Sequence, residues 1–223
     1  MVSLMIKLLS FISIFLYSSL FYKPSPTTMV QIETTFGNIT IILYNDTKLH
    51  KENFIKLVRE GYYDGLLFHR VIPDFMIQTG DSDSKTAVPG QALGSGGPAY
   101  TIPAEFFPSY FHKRGAVAAA RMADNVNPEK ASSASQFYIV QGTVCTRSLL
   151  STLERTGKHL PFTEEQIKIY TSIGGTPQLD NFYTVFGEVT EGLDIVQKIS
   201  MVLRDPRNRP ITDIKIIKAY ILE

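Results

Sequence analysis

The chain has no tryptophan and a single cysteine, Cys145, in 223 residues. One thiol excludes an intramolecular disulfide, so the core must hold the fold. Charge is sparse, at 19% of residues, and nearly balanced: 22 Lys plus Arg against 21 Asp plus Glu. No basic run stands out, which argues against a nucleic-acid partner. The four histidines, His50, His69, His112 and His159, lack the spacing of a metal site. Phosphate-loop and dinucleotide fingerprints are missing, as are internal repeats. No metal or cofactor is therefore expected, and the chemistry must come from ordinary side chains and shape. What is present is length enough for one sizeable core, in one domain with extensions.

One apolar stretch stands apart from that core. Residues 8–22 are almost wholly apolar or hydroxylic and follow a lone cation, Lys7. The pattern reads as a signal peptide or a short membrane anchor. Its uninterrupted part is shorter than the ~18–20 residues that cross a bilayer comfortably. Counted from Leu4 across Lys7, residues 4–22 nearly reach that length and form the candidate tether. Residues 23–26, KPSP, read as an extended linker. On this reading residues 1–28 are an address segment and 29–223 the domain, periplasmic or membrane-tethered. On the other reading translation starts at Met29, at the edge of the first strand, and the protein is cytoplasmic.

Within the domain, residues 30–34 alternate apolar and polar, the period of a half-buried strand. A turn at 36–38 and a β-branched run at 39–43 predict a hairpin. Asn45-Asp46-Thr47 offers an N-cap, Phe54, Leu57 and Val58 an apolar stripe, and Gly61 a stop. Residues 90–97, GQALGSGG, read as a flexible surface connection. A strand is expected at 136–140. Thr163 to Gln166, TEEQ, is a capping box opening a helix to about Ile173, with Ile167, Tyr170 and Ile173 on one face. Thr190 is expected to cap a last helix that turns Leu193, Val196 and Ile199 inward, and 210–222 to form the final strand.

The stretch with chemistry in it is 68–81, FHRVIPDFMIQTGD. Apolar runs at 66–68 and 75–77 flank Pro73-Asp74, which predicts strand, turn, strand. Alternation puts Phe68 and Arg70 on one face, His69 and Val71 on the other. Met76 and Gln78 share a face of the second strand, so Arg70, Met76 and Gln78 can line one side of a groove. Arg70 is a permanent cation among apolar residues, costly unless something uses it. His69 is read as structural, Asp74 as a turn residue, and Asp81 as a partner for loop backbone.

These fourteen residues resemble the signature of the cyclophilins, the cyclosporin-binding family of peptidyl-prolyl cis–trans isomerases. Two further segments agree: SQFYI at 135–139 is similar to the family's SQFFI, and 179–189, LDNFYTVFGEV, to a third signature. The Ala120-Arg121 pair, Tyr183 and the GGTP and LD elements are similar to those of bacterial members. The resemblance spans about 29–223. It implies a mainly β fold: a closed antiparallel eight-stranded β-barrel capped by two helices, with an extra helical insertion at 143–176. Gln178 falls where the best-known member has tryptophan, which implies weak cyclosporin inhibition.

The resemblance also assigns roles. Arg70 is the candidate donor to the prolyl nitrogen, and Gln78 would orient it. Phe75, Met76, Tyr138 and Leu179 would hold the proline ring, with Tyr183 on the groove wall. Ala120, Arg121 and Gln136 would bind the substrate backbone. Implied partners are proline-containing peptides and unfolded or folding proteins, met by a monomer. A non-catalytic proline-peptide binding or chaperone module on the same fold is the alternative. A hydrolase is disfavoured, since no nucleophile–base pair or paired carboxylates emerge.

Overall fold

The computed structural model describes residues 27–222. The expected address segment, all but its last two residues, lies outside them. The chain opens with the expected hairpin, β1 (Thr28–Thr34) and β2 (Gly37–Leu43), in register from Thr28 against Leu43 to Thr34 against Gly37. Helix α1 (Lys48–Arg59) follows, then the short strands β3 (Arg70–Ile72) and β4 (Met76–Thr79). Next come β5 (Thr101–Ile102), β6 (Ala116–Ala119), β7 (Ser132–Ser133) and β8 (Phe137–Val140). Helices α2 (Arg147–Arg155) and α3 (Glu164–Ser172) form the insertion. The chain ends with β9 (Val185–Glu191), α4 (Leu193–Ser200) and β10 (Ile216–Leu222).

Eight strands make one antiparallel sheet in the order β10-β1-β2-β9-β6-β8-β4-β3, and β5 pairs with β7 apart from it. The sheet curls, but β3 and β10 do not pair along a ladder, so the expected closure is not a strand-to-strand one. The seam is crossed by a single bridge, Leu67 to Lys215, and by bonds such as Phe68 N to Ile214 O. Val30 and Ile32, Ile39 and Ile41, and Val117 and Ile139 point into the main core. The alternation expected from sequence at 30–34 is thus met on β1. Phe54, Leu57 and Val58 of α1 and Val196 and Ile199 of α4 bury into the same core. Each such side chain contributes roughly 1.5–3 kcal/mol of transfer free energy.

Several local expectations are corrected. Thr47 occupies the N-cap position of α1, but at ψ 63° its hydroxyl accepts from no helix N–H and only donates to the Tyr44 carbonyl. Glu105, distant in sequence, takes the role: its carboxylate accepts from Leu49 N at 3.1 Å and His50 N at 3.0 Å. Thr190 lies within β9, and Gly192 at φ 90° occupies the N-cap of α4. The last strand starts at Ile216, not 210, since the Asp205 carboxylate folds 205–209 into a turn by accepting from Arg207 N and Arg209 N. Residues 66–68 are not a strand. Phe68 is therefore not on the face of Arg70; it lies in the main core, while Arg70 is half-buried.

The insertion holds two helices rather than one. Thr146 caps the unexpected α2 by accepting from Leu149 N, and the capping box of α3 is formed by Thr163 and Gln166 in both directions. Leu150, Leu153, Phe162 and Tyr170 join Phe111 and Cys145 in a small core of their own. Ile173 falls past the end of α3 and is exposed, contrary to the expected stripe.

Candidate active site

The β3–β4 hairpin turns at Asp74, a non-glycine residue with φ 59°. Its register sets Arg70 opposite Gln78, Val71 opposite Ile77 and Ile72 opposite Met76. Val71 and Ile77 enter the core, so Arg70, Gln78 and Met76 face the other way. Strand β8 carries Tyr138 opposite Gln78, and β6 brings Ala118 opposite Tyr138. The outer face of this half-sheet has its own apolar floor, with Met76, Ala116, Ala118, Ala120, Tyr138, Val140 and Val185 buried together. The small side chains of β6 leave depth that larger ones would fill.

Over this floor lies a cavity of about 200 Å³. Its lining is Arg70, Phe75, Met76, Gln78, Ala120, Arg121, Tyr138, Leu179 and Tyr183. All the expected site residues thus meet there except Gln136, which stands behind the wall. Arg70 Nη1 donates to Gln78 Oε1 at 3.1 Å, and Gln78 Nε2 donates to Gln136 Oε1 at 3.1 Å. Gln136 Nε2 donates to the carbonyls of Gly94 and Gly96, at 3.0 and 2.8 Å. Both its N–H groups are spent, so Gln136 holds Gln78 and the glycine loop, and its amide oxygen keeps one further acceptor site. The loop at 90–97, expected as a free connection, is therefore tied to the site wall. At Gly96 a Cβ would lie 2.2 Å from Asp81 Oδ1.

Arg121 is also largely engaged. Nε donates to Phe182 O at 2.7 Å, and Nη1 donates to Met122 O and meets Asp124 Oδ1 at 2.6 Å. Its guanidinium carbon sits 4.6 Å from the centre of the Tyr183 ring, which fixes that wall by a cation–π contact. Arg70 is in no ion pair among the described residues. Burial lowers its pKa, the neighbouring Tyr183 opposing, yet a guanidinium stays charged near neutrality. No group of three or more His, Cys, Asp or Glu among the described residues is set to hold a metal.

A family model described as cyclophilin type peptidyl-prolyl cis-trans isomerase/CLD matches residues 29–221. The chain belongs to the cyclophilin-type peptidyl-prolyl cis–trans isomerases. A Staphylococcus saprophyticus protein named as a peptidyl-prolyl cis-trans isomerase is 36% identical over 195 residues, 86% of this chain and 90% of its own. A Staphylococcus aureus protein of the same name is 35% identical over 188 residues, 84% of this chain and 88% of its own. A crystal structure of a Cryptosporidium parvum cyclophilin matches with a TM-score of 0.66 at 22% identity, covering 89% of this chain and 99% of that one. A second structure of that protein, obtained in the presence of the dipeptide Ala-Pro, matches at 0.64 over 87% and 99%.

Behind the cyclophilin groove lies a polar network that composition and spacing did not reveal. Tyr138 Oη is 3.0 Å from His112 Nε2, and His112 Nδ1 is 2.8 Å from Asp180 Oδ1. The other carboxylate oxygen meets His159 Nε2 at 3.0 Å and accepts from Tyr170 Oη at 2.6 Å. Asp180 is 3% exposed and adjoins Leu179 of the groove. Burial alone would raise its pKa, but the bonds from His112, His159 and Tyr170 outweigh that and hold it at about 2. The five residues come from five separated places in the chain. The only sequence hint was an acidic residue beside a groove leucine in a chain with few histidines.

Proposed function

We propose that this chain rotates X-Pro peptide bonds by a non-covalent route in which Arg70 donates to the prolyl nitrogen. The barrier to be lowered is amide resonance, ~18–20 kcal/mol, which leaves the uncatalysed step at tens of seconds or longer. In the twisted state the nitrogen becomes pyramidal and gains a lone pair. A fixed donor aimed there binds the twisted amide better than the planar one. The carrying observation is the placement of one unpaired guanidinium, steadied by Gln78, on the rim of a cavity with an apolar floor. Phe75, Met76, Tyr138 and Leu179 take the proline ring. One preorganised donor supplies about 3–4 kcal/mol, so the cavity must also hold the amide near its twisted geometry.

Substrates on this reading are proline-containing segments of folding proteins, handled by a monomer. The test is Arg70→Ala, assayed on a neutral proline tetrapeptide with circular dichroism as a fold control. A fall in kcat/KM of a hundredfold or more is expected. An intact variant that isomerises at the wild-type rate overturns the role of Arg70. A wild-type chain that binds the peptide without turning it over makes it a binding module instead. We further propose that residues 4–22 export or tether the domain. N-terminal sequencing with cell fractionation tests this, and a cytoplasmic chain starting at Met29 refutes it.

A further inference from the structure

A second cavity, also about 200 Å³, shares Arg70 and Gln78 with the proline groove. His69, Gly94 and Arg207 form other parts of its wall. His69 is 4% exposed, and neither of its ring nitrogens has a hydrogen-bond partner. A buried polar group left in that condition is destabilising, and an incoming acceptor would relieve it. Its Nε2 faces Gly94, lying 3.9 Å from where a Cβ on that residue would stand, so the free nitrogen is at the cavity wall.

The charges around the cavity do not cancel locally. Arg209 Nη2 is paired with Asp213 at 3.0 Å, and its Nη1 donates to the carbonyls of Val88 and Gln91. The Asp205 carboxylate accepts from two backbone N–H groups of its own turn. Arg207 and Arg70 are in no ion pair among the described residues. Two cations, the Asp205 carboxylate and a donor-capable imidazole therefore border a space that opens beside the place for proline, with one positive charge in excess once Arg209 is paired with Asp213. His69 is neutral near pH 7, since burial, reinforced by Arg70 and Arg209 and opposed by Asp81, brings its pKa to about 4. It can thus donate one hydrogen bond without adding charge.

We propose that this cavity is a specificity subsite for an acidic side chain, Asp or Glu, one or two residues from the substrate proline. The carboxylate sits between the guanidinium groups of Arg70 and Arg207 and accepts from His69. Arg70 thereby serves both spaces, and the acidic side chain fixes the register of the peptide across it. An extended peptide advances about 3.3–3.6 Å per residue, so a neighbour of the proline is the natural occupant of a cavity that shares two walls with the groove.

This inference rests on the isomerase reading, and its test separates the two. Peptides carry Glu or Gln at each of the two positions on either side of proline. Turnover is measured at low and high salt, and binding of the same peptides by calorimetry. At one position Glu should raise kcat/KM by a few-fold to about tenfold over Gln, with the gain shrinking as salt rises. Arg207→Gln, on the surface, should reduce that Glu-over-Gln preference. His69→Phe, which removes the donor at the cavity wall while keeping a ring there, should weaken it too. The subsite is refuted if no position favours Glu in turnover or binding, or if the preference survives both variants. Failure to turn over the neutral peptide refutes the isomerase reading instead, and the binding measurements then still decide the subsite. If His69→Phe does not fold, Arg207→Gln carries the test alone.

Discussion

Tyr170 donates its phenol to the Asp180 carboxylate at 2.6 Å, which joins helix α3 of the insertion to the loop that carries Leu179 into the groove. Neither group meets solvent to any extent. The carboxylate pKa near 2 lies below the usual value of 3.8, so ionised Asp180 stabilises the fold above about pH 4. That contribution, about 2 kcal/mol, is lost as pH falls through 2. Tyr170→Phe removes one of the bonds that hold the pKa down. Stability at pH 7 should drop by about 1–3 kcal/mol. The acid limb should also move to higher pH, as read by urea unfolding at pH 7, 4 and 3. An unmoved acid limb would mean that the phenol does not support the charge.

What the sequence showed and what it hid follow from the range of the interactions. The β1–β2 hairpin, the capping box at Thr163 and Gln166 and the groove set around Arg70 rest on local patterning or on contiguous motifs. Those are visible in a single chain. The Glu105 cap on α1 joins residues 55 positions apart or more, and the bond from His112 to Asp180 spans 68. No period or spacing announces such pairs. Gln136 shows a subtler limit. Its strand was readable, but the direction of its amide was set by the carbonyls of Gly94 and Gly96, which lie on a loop read as free. The helix α2 was missed because Arg147 and the threonines around it dilute the stripe that Leu150 and Leu153 make.

The cap itself is open to test. Glu105 also receives a bond from His50 Nδ1 at 2.6 Å, so one carboxylate satisfies two backbone donors and a buried ring. Removing it by Glu105→Ala strands all three. The cost should be about 2–3 kcal/mol. Thr47→Ala deletes only a bond to Tyr44 O and should cost about 1 kcal/mol or less. Equilibrium unfolding in urea ranks the two. A larger loss for Thr47 would restore the local cap that sequence suggested and reject the distant one.

The amide relay behind Arg70 predicts a separation of kinetic constants. Gln78→Leu leaves the guanidinium charged but unsteered, and leaves Gln136 Oε1 without its donor. Ring contacts from Phe75, Met76 and Leu179 are untouched. The variant should therefore lose on the order of tenfold to a hundredfold in kcat, with KM within about twofold of wild type. A rise in KM at constant kcat would show that Gln78 binds the peptide and does not orient Arg70.

The solitary imidazole gives a pH signature in stability. His69 titrates near 4 when folded, mainly because it is buried, and near 6.5 when the chain is open. Between those values the unfolded chain holds a proton that the folded one refuses. Stability is thus undiminished above pH 6.5 and falls as pH drops from 6.5 to 4, by about 1.4 kcal/mol per pH unit and ~3 kcal/mol in all. His50, also lowered by burial despite its bond to Glu105, adds a slope of the same sign, so the difference between proteins is the quantity to read. His69→Leu should be less sensitive to pH than wild type by about one proton across this window, in urea unfolding at pH 7.5, 5.5 and 4.5. Parallel curves for the two proteins would place a proton on His69 in the folded state, and with it a third positive charge beside Arg70 and Arg207.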